Sequence, residues 1–162
     1  MPDEPISVRR AGTLDAREMT ALLNAIIAAG GTTAYTEPVT REDLTEWMAA
    51  PGTVWHVAEA GGTVVGFQWV EPIDGMDRAA IATFAQRGRQ GLGIGSALFR
   101  ATSTLCRTAG FAAIDAWSRE DNEGGLAYYR SRGFEDAGRR DGVVLPDGRR
   151  VAQTLKRYDL RR

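Results

Sequence analysis

Residues Ile81 to Ser96, IATFAQRGRQGLGIGS, limit what this chain can fold into more than any other stretch. A short apolar run, Ile81 to Ala85, gives way to polar and basic residues, Gln86, Arg87, Arg89 and Gln90. Three alternating glycines, Gly91, Gly93 and Gly95, then open the amphipathic run SALFRATSTLCRTAG. That order predicts a strand, a tight loop and a helix. A helix begins with backbone N–H groups that have no intrahelical acceptor and with a partial positive charge, so it can hold an anion there. Glycines let the main chain close on a phosphate with no side chain in the way. The stretch reads as a phosphate cradle.

Around it, 162 residues suffice for one domain, residues 1–162, with a proper core and no need of metals or disulfides. A formal net charge of −1 gives no bulk attraction to nucleic acid or to an acidic membrane, so neither is expected as a partner. The lone Cys106 excludes an intrachain disulfide and fits a reducing compartment. Met1 to Pro5 (MPDEP) is acidic and polar, unlike a signal peptide, and no apolar run approaches a membrane span. A cytoplasmic protein is expected.

In chain order, ISVRR (Ile6 to Arg10) alternates and predicts a short first strand. Thr13 is the expected N-cap of a helix from about Leu14 to Ala29, with Leu14, Met19, Leu22, Leu23, Ile26 and Ile27 on its apolar face; Gly30-Gly31 stops it. TTAYTEPV (Thr32 to Val39) is too polar and proline-punctuated for regular structure. Thr40 begins TREDLTEWM, whose Thr-x-x-Asp order resembles a capping box and starts a short helix ending near Pro51. Thr53 to Glu59 and Thr63 to Glu71 are β-rich runs joined by Gly61-Gly62, a hairpin signal. Ala79 to Gln86 is the next strand and Gly93 to Ala109 the next helix, with Ile94, Leu98, Ala101, Leu105 and Ala109 along one face. Phe111 to Ser118 predicts a strand, and Asn122 to Arg132 a helix closed by Gly133. Val143 and Val144 precede the turn Pro146-Asp147-Gly148, and Val151 to Tyr158 closes the sheet. The order β-α-α-β-β-β-α-β-α-β-β implies an α/β fold: a mixed sheet with helices on its faces.

Three nucleotide motifs compete for the glycine loop. A Walker A loop ends in Gly-Lys-Ser/Thr, whereas Gly95 is followed by Ser96 with no lysine. The dinucleotide pattern G-x-G-x-x-G fails because the glycines recur at every second position, mid-chain and after a run of hairpins. The pattern Gln/Arg-x-x-Gly-x-Gly/Ala fits Gln90-Gly91-Leu92-Gly93-Ile94-Gly95. With that motif the chain resembles the GCN5-related N-acetyltransferases. A second segment, Asn122-Glu-Gly-Gly-Leu-Ala-Tyr128-Tyr129-Arg-Ser-Arg-Gly133-Phe134, is similar to the family's Asn…Tyr…Gly-Phe segment at the expected distance. The segment order matches over nearly the whole chain. More loosely, TTAYTEP and Trp47 are similar to the phosphinothricin-acetyltransferase-like branch.

The resemblance implies the acyl-CoA N-acyltransferase fold, a largely antiparallel central sheet flanked by helices on both faces. It implies acetyl-CoA as cosubstrate and no metal. Acetyl transfer to an amine needs an anchored thioester, a neutral amine, a donor for the developing oxyanion and a proton for the leaving thiolate. The anchor falls on Gln90 and the backbone of Gly91, Leu92, Gly93, Ile94, Gly95 and Ser96, with Arg87 and Arg89 adding charge. The strand end at Thr83, Phe84 and Ala85 is expected to pair with the pantetheine arm and offer an N–H to the carbonyl. Asn122 is expected either to bond the cofactor or to cap its helix. Tyr129, seven after Asn122 and four before Gly133, takes the general-acid position; Tyr128 is out of step by one.

The base is less plainly written. In several family members a glutamate on the central strand serves, but Ile81 to Ala85 holds no carboxylate. Glu71 is the leading candidate, ahead of Asp115. His56, in an alternating strand, is read as sheet packing, and Cys106 as helix packing. The acceptor pocket is assigned to Tyr35, Thr36 and Glu37, with Trp69 and Trp117 as walls. The expected activity is direct transfer from acetyl-CoA to a small-molecule primary amine, without a covalent enzyme intermediate. The alternatives are a protein N-terminus or lysine as acceptor, and a non-catalytic CoA sensor. A homodimer is a family-level expectation.

Overall fold

The computed structural model describes residues 5–89 and 93–161. Its elements are β1 (Ser7–Arg10), α1 (Ala16–Ala29), α2 (Arg41–Met48), β2 (Val54–Ala60), β3 (Thr63–Pro72), β4 (Arg78–Ala85), α3 (Ile94–Ala109), β5 (Ala113–Arg119), α4 (Glu123–Ser131), β6 (Glu135–Val144) and β7 (Arg150–Asp159). One sheet runs β1-β2-β3-β4-β5-β7-β6. All neighbours in it are antiparallel except β4 and β5. A parallel pair cannot be closed by a hairpin, and α3 lies within the crossover. No helix among the described residues is long and apolar enough to cross a membrane.

Helices cover both faces, which explains why β3 reads as an almost unbroken apolar run. Phe67 and Trp69 join Trp55, Val57 and Phe84 under α1 and α2, against Met19, Leu23, Ile27 and Leu44. The alternate positions face α3 and α4. Val65 packs there with Ile94 and Leu98. Val70 packs with Ile81, Phe99, Cys106, Ile114 and Tyr129. The aromatic layer under α1 and α2 is closely stacked, with Trp55 and Trp69 centroids 4.2 Å apart and 13° from coplanar.

The local signals mostly act as expected. Thr40 Oγ1 accepts from Asp43 N–H at 3.0 Å and the Asp43 carboxylate accepts from Thr40 N–H at 2.9 Å, a complete capping box for α2. Gly61 and Gly62 turn the β2–β3 hairpin with φ of 59° and 79°. The start of α1 is a correction. Thr13 does not cap it; Thr13–Asp15 forms a 3₁₀ turn in which the Asp15 carboxylate accepts from Gly12 N–H at 2.8 Å and from Arg9 at 2.7 and 2.9 Å. Leu14 consequently points outward, 97% exposed, instead of joining the apolar face. The sixth strand is also longer than its Val143-Val144 core suggested. It is an edge strand whose side chains are almost all exposed and charged or small, as edges that resist pairing with other chains are.

Gly66 is where α3 meets the sheet. A Cβ there would lie 2.5 Å from Ile94 Cγ2 and 3.1 Å from Phe84 O. Gly66→Ala should therefore lift the amino end of α3 and cost about 1–3 kcal/mol, read from urea unfolding.

Candidate active site

The site follows from where the β4–β5 ladder stops. Gln86 N–H donates to Val65 O at 2.8 Å and Ile73 N–H to Arg78 O at 3.0 Å, so even-numbered residues of β4 spend their main-chain groups on β3. Odd-numbered ones face β5, as Asp77 O does in accepting from Ala112 N–H at 2.8 Å. The β4–β5 register covers only Arg78↔Ala113, Ala79↔Ile114 and Ala80↔Asp115. Beyond it the strands separate, and Thr83 and Ala85 turn main-chain donors and acceptors into the gap with no ladder partner on β5 among the described residues.

That gap is a cleft of about 890 Å³. One wall is Ile81 to Ala85; the other is Trp117, Ser118 and Arg119 of β5. Gly93 to Ser96 close one end, Asn122, Tyr128, Tyr129 and Arg132 line the floor, and Thr32 to Tyr35 form the rim. Arg87, Arg89, Arg119 and Arg132 line it with no carboxylate among the described lining residues, so it favours anions. Gly93, the N-cap of α3, has φ of 86°, a conformation that suits glycine. The first-turn N–H groups of Ile94, Gly95 and Ser96 have no acceptor within α3. Gly95 also makes room for a neighbour, since a Cβ would sit 2.5 Å from Tyr128 Cε1. Gln90, Gly91 and Leu92 lie outside the described residues.

The two tyrosines meet β4 and β3 beneath the cleft. Tyr129 Oη is 2.9 Å from Thr83 Oγ1. Tyr128 Oη donates to Gly95 O at 2.8 Å and accepts from Gln68 Nε2 at 3.2 Å. Gln68 Nε2 also donates to Thr83 Oγ1 at 2.9 Å. Burial pushes the Tyr128 phenol up to about 12, with the Gln68 bond opposing it. Burial raises Tyr129 further still, opposed by the bond to Thr83.

Side chains from the floor hold the rim. Buried Arg119 donates to Thr33 O at 3.2 Å and to the Asp121 carboxylate at 2.7 and 2.9 Å. Asn122 does cap α4, accepting from Gly125 N–H at 3.0 Å, while its Nδ2 donates to Thr32 O at 2.8 Å. Arg132 donates to Ser96 Oγ at 2.6 Å, and its buried Nε has no partner among the described residues. Sequence reasoning passed over Gln68, Arg119 and Arg132. Gln68 left a trace as the one polar residue in the apolar run VVGFQWV; the two arginines left none.

The remaining candidates are dispersed. Thr83, Phe84, Ala85, Tyr35 and Trp117 all line the cleft, and Arg140 lies 4.0 Å over the Trp117 ring. Thr36 is not among the lining residues, and its buried Oγ1 has no partner among the described residues. Trp69 is a correction to its reading as a wall: it is 6% exposed within the aromatic layer, because Phe67 and Trp69 lie on the face of β3 toward α1 and α2. Glu71, on that same face, is exposed at the end of β3 and outside the cleft lining. Its charge adds to burial in raising the Tyr35 phenol. Asp115 is 3% exposed and bound by Arg78 at 3.0 Å and Arg157 at 2.6 Å. Burial pushes the Cys106 thiol up to about 11, far from a reactive thiolate. His56 lies in a shallow groove between β1 and α3, its basicity lowered by burial and by Arg10.

Comparison with known proteins gives a consistent answer. The sequence profile of the acetyltransferase (GNAT) family matches residues 20–134. The chain is similar to YwnH of Bacillus subtilis, provisionally named a phosphinothricin acetyltransferase, with 28% identity over 96% of each chain. It is similar to a crystal structure described provisionally as a phosphinothricin N-acetyltransferase, at 26% identity and TM-score 0.85, covering 96% of this chain and 99% of that one. A GNAT-superfamily phosphinothricin acetyltransferase from Sinorhizobium meliloti, crystallised with acetyl-CoA, superposes with TM-score 0.84 at 20% identity, over 95% of this chain and 88% of that one; at that identity the likeness speaks for the fold.

Arg119 generates a test of how the rim is held. Arg119→Met leaves Thr33 O without its donor and should cost about 2 kcal/mol in denaturant unfolding. Amide exchange should accelerate around Thr32 to Tyr35 while α3 keeps its protection.

Proposed function

The chain belongs to the acetyltransferase (GNAT) family, and from that premise we propose that it moves the acetyl group of acetyl-CoA directly onto the primary amine of a small molecule. It is an acetyl-CoA-dependent N-acetyltransferase. The observation that carries the proposal is the open main-chain edge of β4, running from the tyrosine hydroxyls to the amino end of α3 inside a cleft whose charged lining residues, among those described, are all arginines.

In this reading the cleft holds acetyl-CoA as substrate. The first-turn N–H groups of α3 and Arg87, Arg89 and Arg132 hold its phosphates. The orphaned, buried Nε of Arg132 and the absence of carboxylates from the described lining suit that charge. Main-chain groups of Thr83 and Ala85 pair with the amide-bearing arm, and an N–H among them faces the thioester carbonyl as its oxygen gains charge.

The amine enters over the Tyr35 rim, and its nitrogen bonds to the carbonyl carbon as the C–S bond breaks. Tyr129 gives its phenolic proton to the departing sulfur. The proton shed by the amine leaves through water. Glu71 is assigned as its acceptor, because it is exposed and its charge is felt at Tyr35 while no carboxylate reaches the described cleft wall. The similarity to proteins named as phosphinothricin acetyltransferases supports a small, amino-acid-like amine as the acceptor.

Acetyl-CoA at a hundredfold excess over its Kd should stabilise the protein by about 2.7 kcal/mol, seen as a raised Tm, while ATP and NAD leave Tm unchanged. No shift with acetyl-CoA would overturn the anchor. Tyr129→Phe should lower kcat about a hundred- to ten-thousand-fold in a thiol-release assay with an amine panel, at unchanged acetyl-CoA affinity.

A further inference from the structure

The cleft explains Tyr129 but not the fully buried amide beside it. Gln68 is 0% exposed, on the β3 face covered by α3 and α4, and it donates to the Tyr128 hydroxyl and to the Thr83 hydroxyl that adjoins Tyr129. We propose that Gln68 is a positioning residue for the acetyl transfer: acting through Thr83, it turns the Tyr129 proton toward the cleft and leaves a donor behind for the phenolate. The proposal rests on the reading of Tyr129 as general acid.

The direction of the hydrogen bonds carries the argument. Amide N–H groups only donate. Gln68 Nε2 has two, and they go to Thr83 Oγ1 at 2.9 Å and Tyr128 Oη at 3.2 Å. Tyr128 accepts from Gln68 and sends its own proton to Gly95 O at 2.8 Å, so it is committed at both ends. Thr83 Oγ1, already accepting from Gln68, lies 2.9 Å from Tyr129 Oη, and either hydroxyl of that pair can donate. In the proposed arrangement Thr83 donates and Tyr129 accepts, which frees the phenolic proton to point into the cleft that the residue lines. When that proton passes to the departing sulfur, the oxygen left behind keeps the Thr83 O–H. Gln68 polarises that hydroxyl in turn, a chain in which each donor strengthens the next. The Thr83 bond opposes the burial that disfavours an ionised Tyr129.

The same logic needs the amide the right way round, with nitrogen toward the hydroxyls. Its Oε1 is buried without a partner among the described residues. Directly opposite Gln68 across the β2–β3 pair, and so on the same face, is His56. The buried Nδ1 of His56 is likewise without a partner among the described residues. The two groups make no hydrogen bond to each other, so the orientation of the amide rests on the contacts of Nε2 with Thr83 and Tyr128.

Gln68→Met keeps the length of the side chain and removes both donors. It should lower kcat about ten- to a hundredfold while acetyl-CoA affinity, by calorimetry, stays within about twofold. In a Tyr129→Phe background the same substitution should cost less than about twofold, because there is no proton left to orient. Unchanged kcat, a loss carried by acetyl-CoA affinity, or equal losses in both backgrounds would each overturn the proposal. Should Gln68→Met not fold, Gln68→Glu serves: with at most one proton to donate it cannot supply both hydroxyls, and the same non-additive loss is expected. Tyr129→Phe alone separates the two levels. If it leaves kcat intact, the general-acid reading fails; if it abolishes turnover while Gln68→Met does nothing, only the role of Gln68 fails.

Discussion

The Asp115 carboxylate sits at the last paired position of β5 and takes hydrogen bonds from Arg78 of β4 on one side and Arg157 of β7 on the other. A buried carboxylate is costly unless it is paired and hydrogen-bonded, so this charge is stable only where both arginines converge on it. It marks the last register pair of β4 and β5. The hydrogen bond to Asp115 raises the Arg157 guanidinium above its ordinary basicity. Past Ala80 and Asp115 the two strands no longer pair with each other, while β4 stays paired to β3 and β5 to β7, and an opening appears between them in a layer that is covered on both faces. A cleft made this way comes with main-chain donors and acceptors already aligned along one wall, held on their other side by β3.

The two faces of the sheet divide the remaining work. The α1–α2 face holds the aromatic layer of Trp55, Phe67, Trp69 and Phe84, and passes by stacking through Trp47 to Tyr35 at the rim. The α3–α4 face holds the polar row, with Gln68 and Thr83 opposite one another under the tyrosines. The rim itself is irregular chain, and irregular chain needs anchors for its carbonyl groups. Arg119 and Asn122 supply them at Thr33 and Thr32, from the end of β5 and the start of α4. The rim, over which the proposed amine enters, and the far wall and floor of the cleft are thereby mechanically joined.

Much of this was written locally in the sequence. The amphipathic helix that follows the glycines, the Thr40 capping box, the Gly61-Gly62 hairpin and the short helix between Asn122 and Gly133 are short-range patterns, and those elements formed as read. What was not legible depends on pairing between distant segments. Trp69 looked like a pocket wall because strand periodicity does not say which face holds the opening. The position of Glu71, exposed at the end of β3 and outside the cleft lining, could not be read from its place before Pro72. Leu14 fits a helical stripe, but Asp15 and Arg9 close a tighter turn first. Arg119 and Arg132 carry no pattern at all: a buried arginine is recognised only by the carbonyl or hydroxyl it reaches.

The hydroxyl chain answers a difficulty that burial creates. A phenol with a pKa near 10 is already a weaker acid than a thiol near 8.5, so handing its proton to a thiolate in water is uphill by about 2 kcal/mol. Burial raises Tyr129 further, which keeps it protonated before the reaction but would make the transfer steeper still. Two effects work against this in the proposed cleft. A thiolate released there suffers the same desolvation, so the penalty on the phenolate is matched by one on the ion it discharges. The phenolate alone, however, keeps a donor at 2.9 Å in Thr83, which Gln68 polarises from behind. The difference between the two anions, not the burial of either, sets the slope of the transfer. A fully buried amide on β3 is the kind of group that changes that difference without touching the substrate.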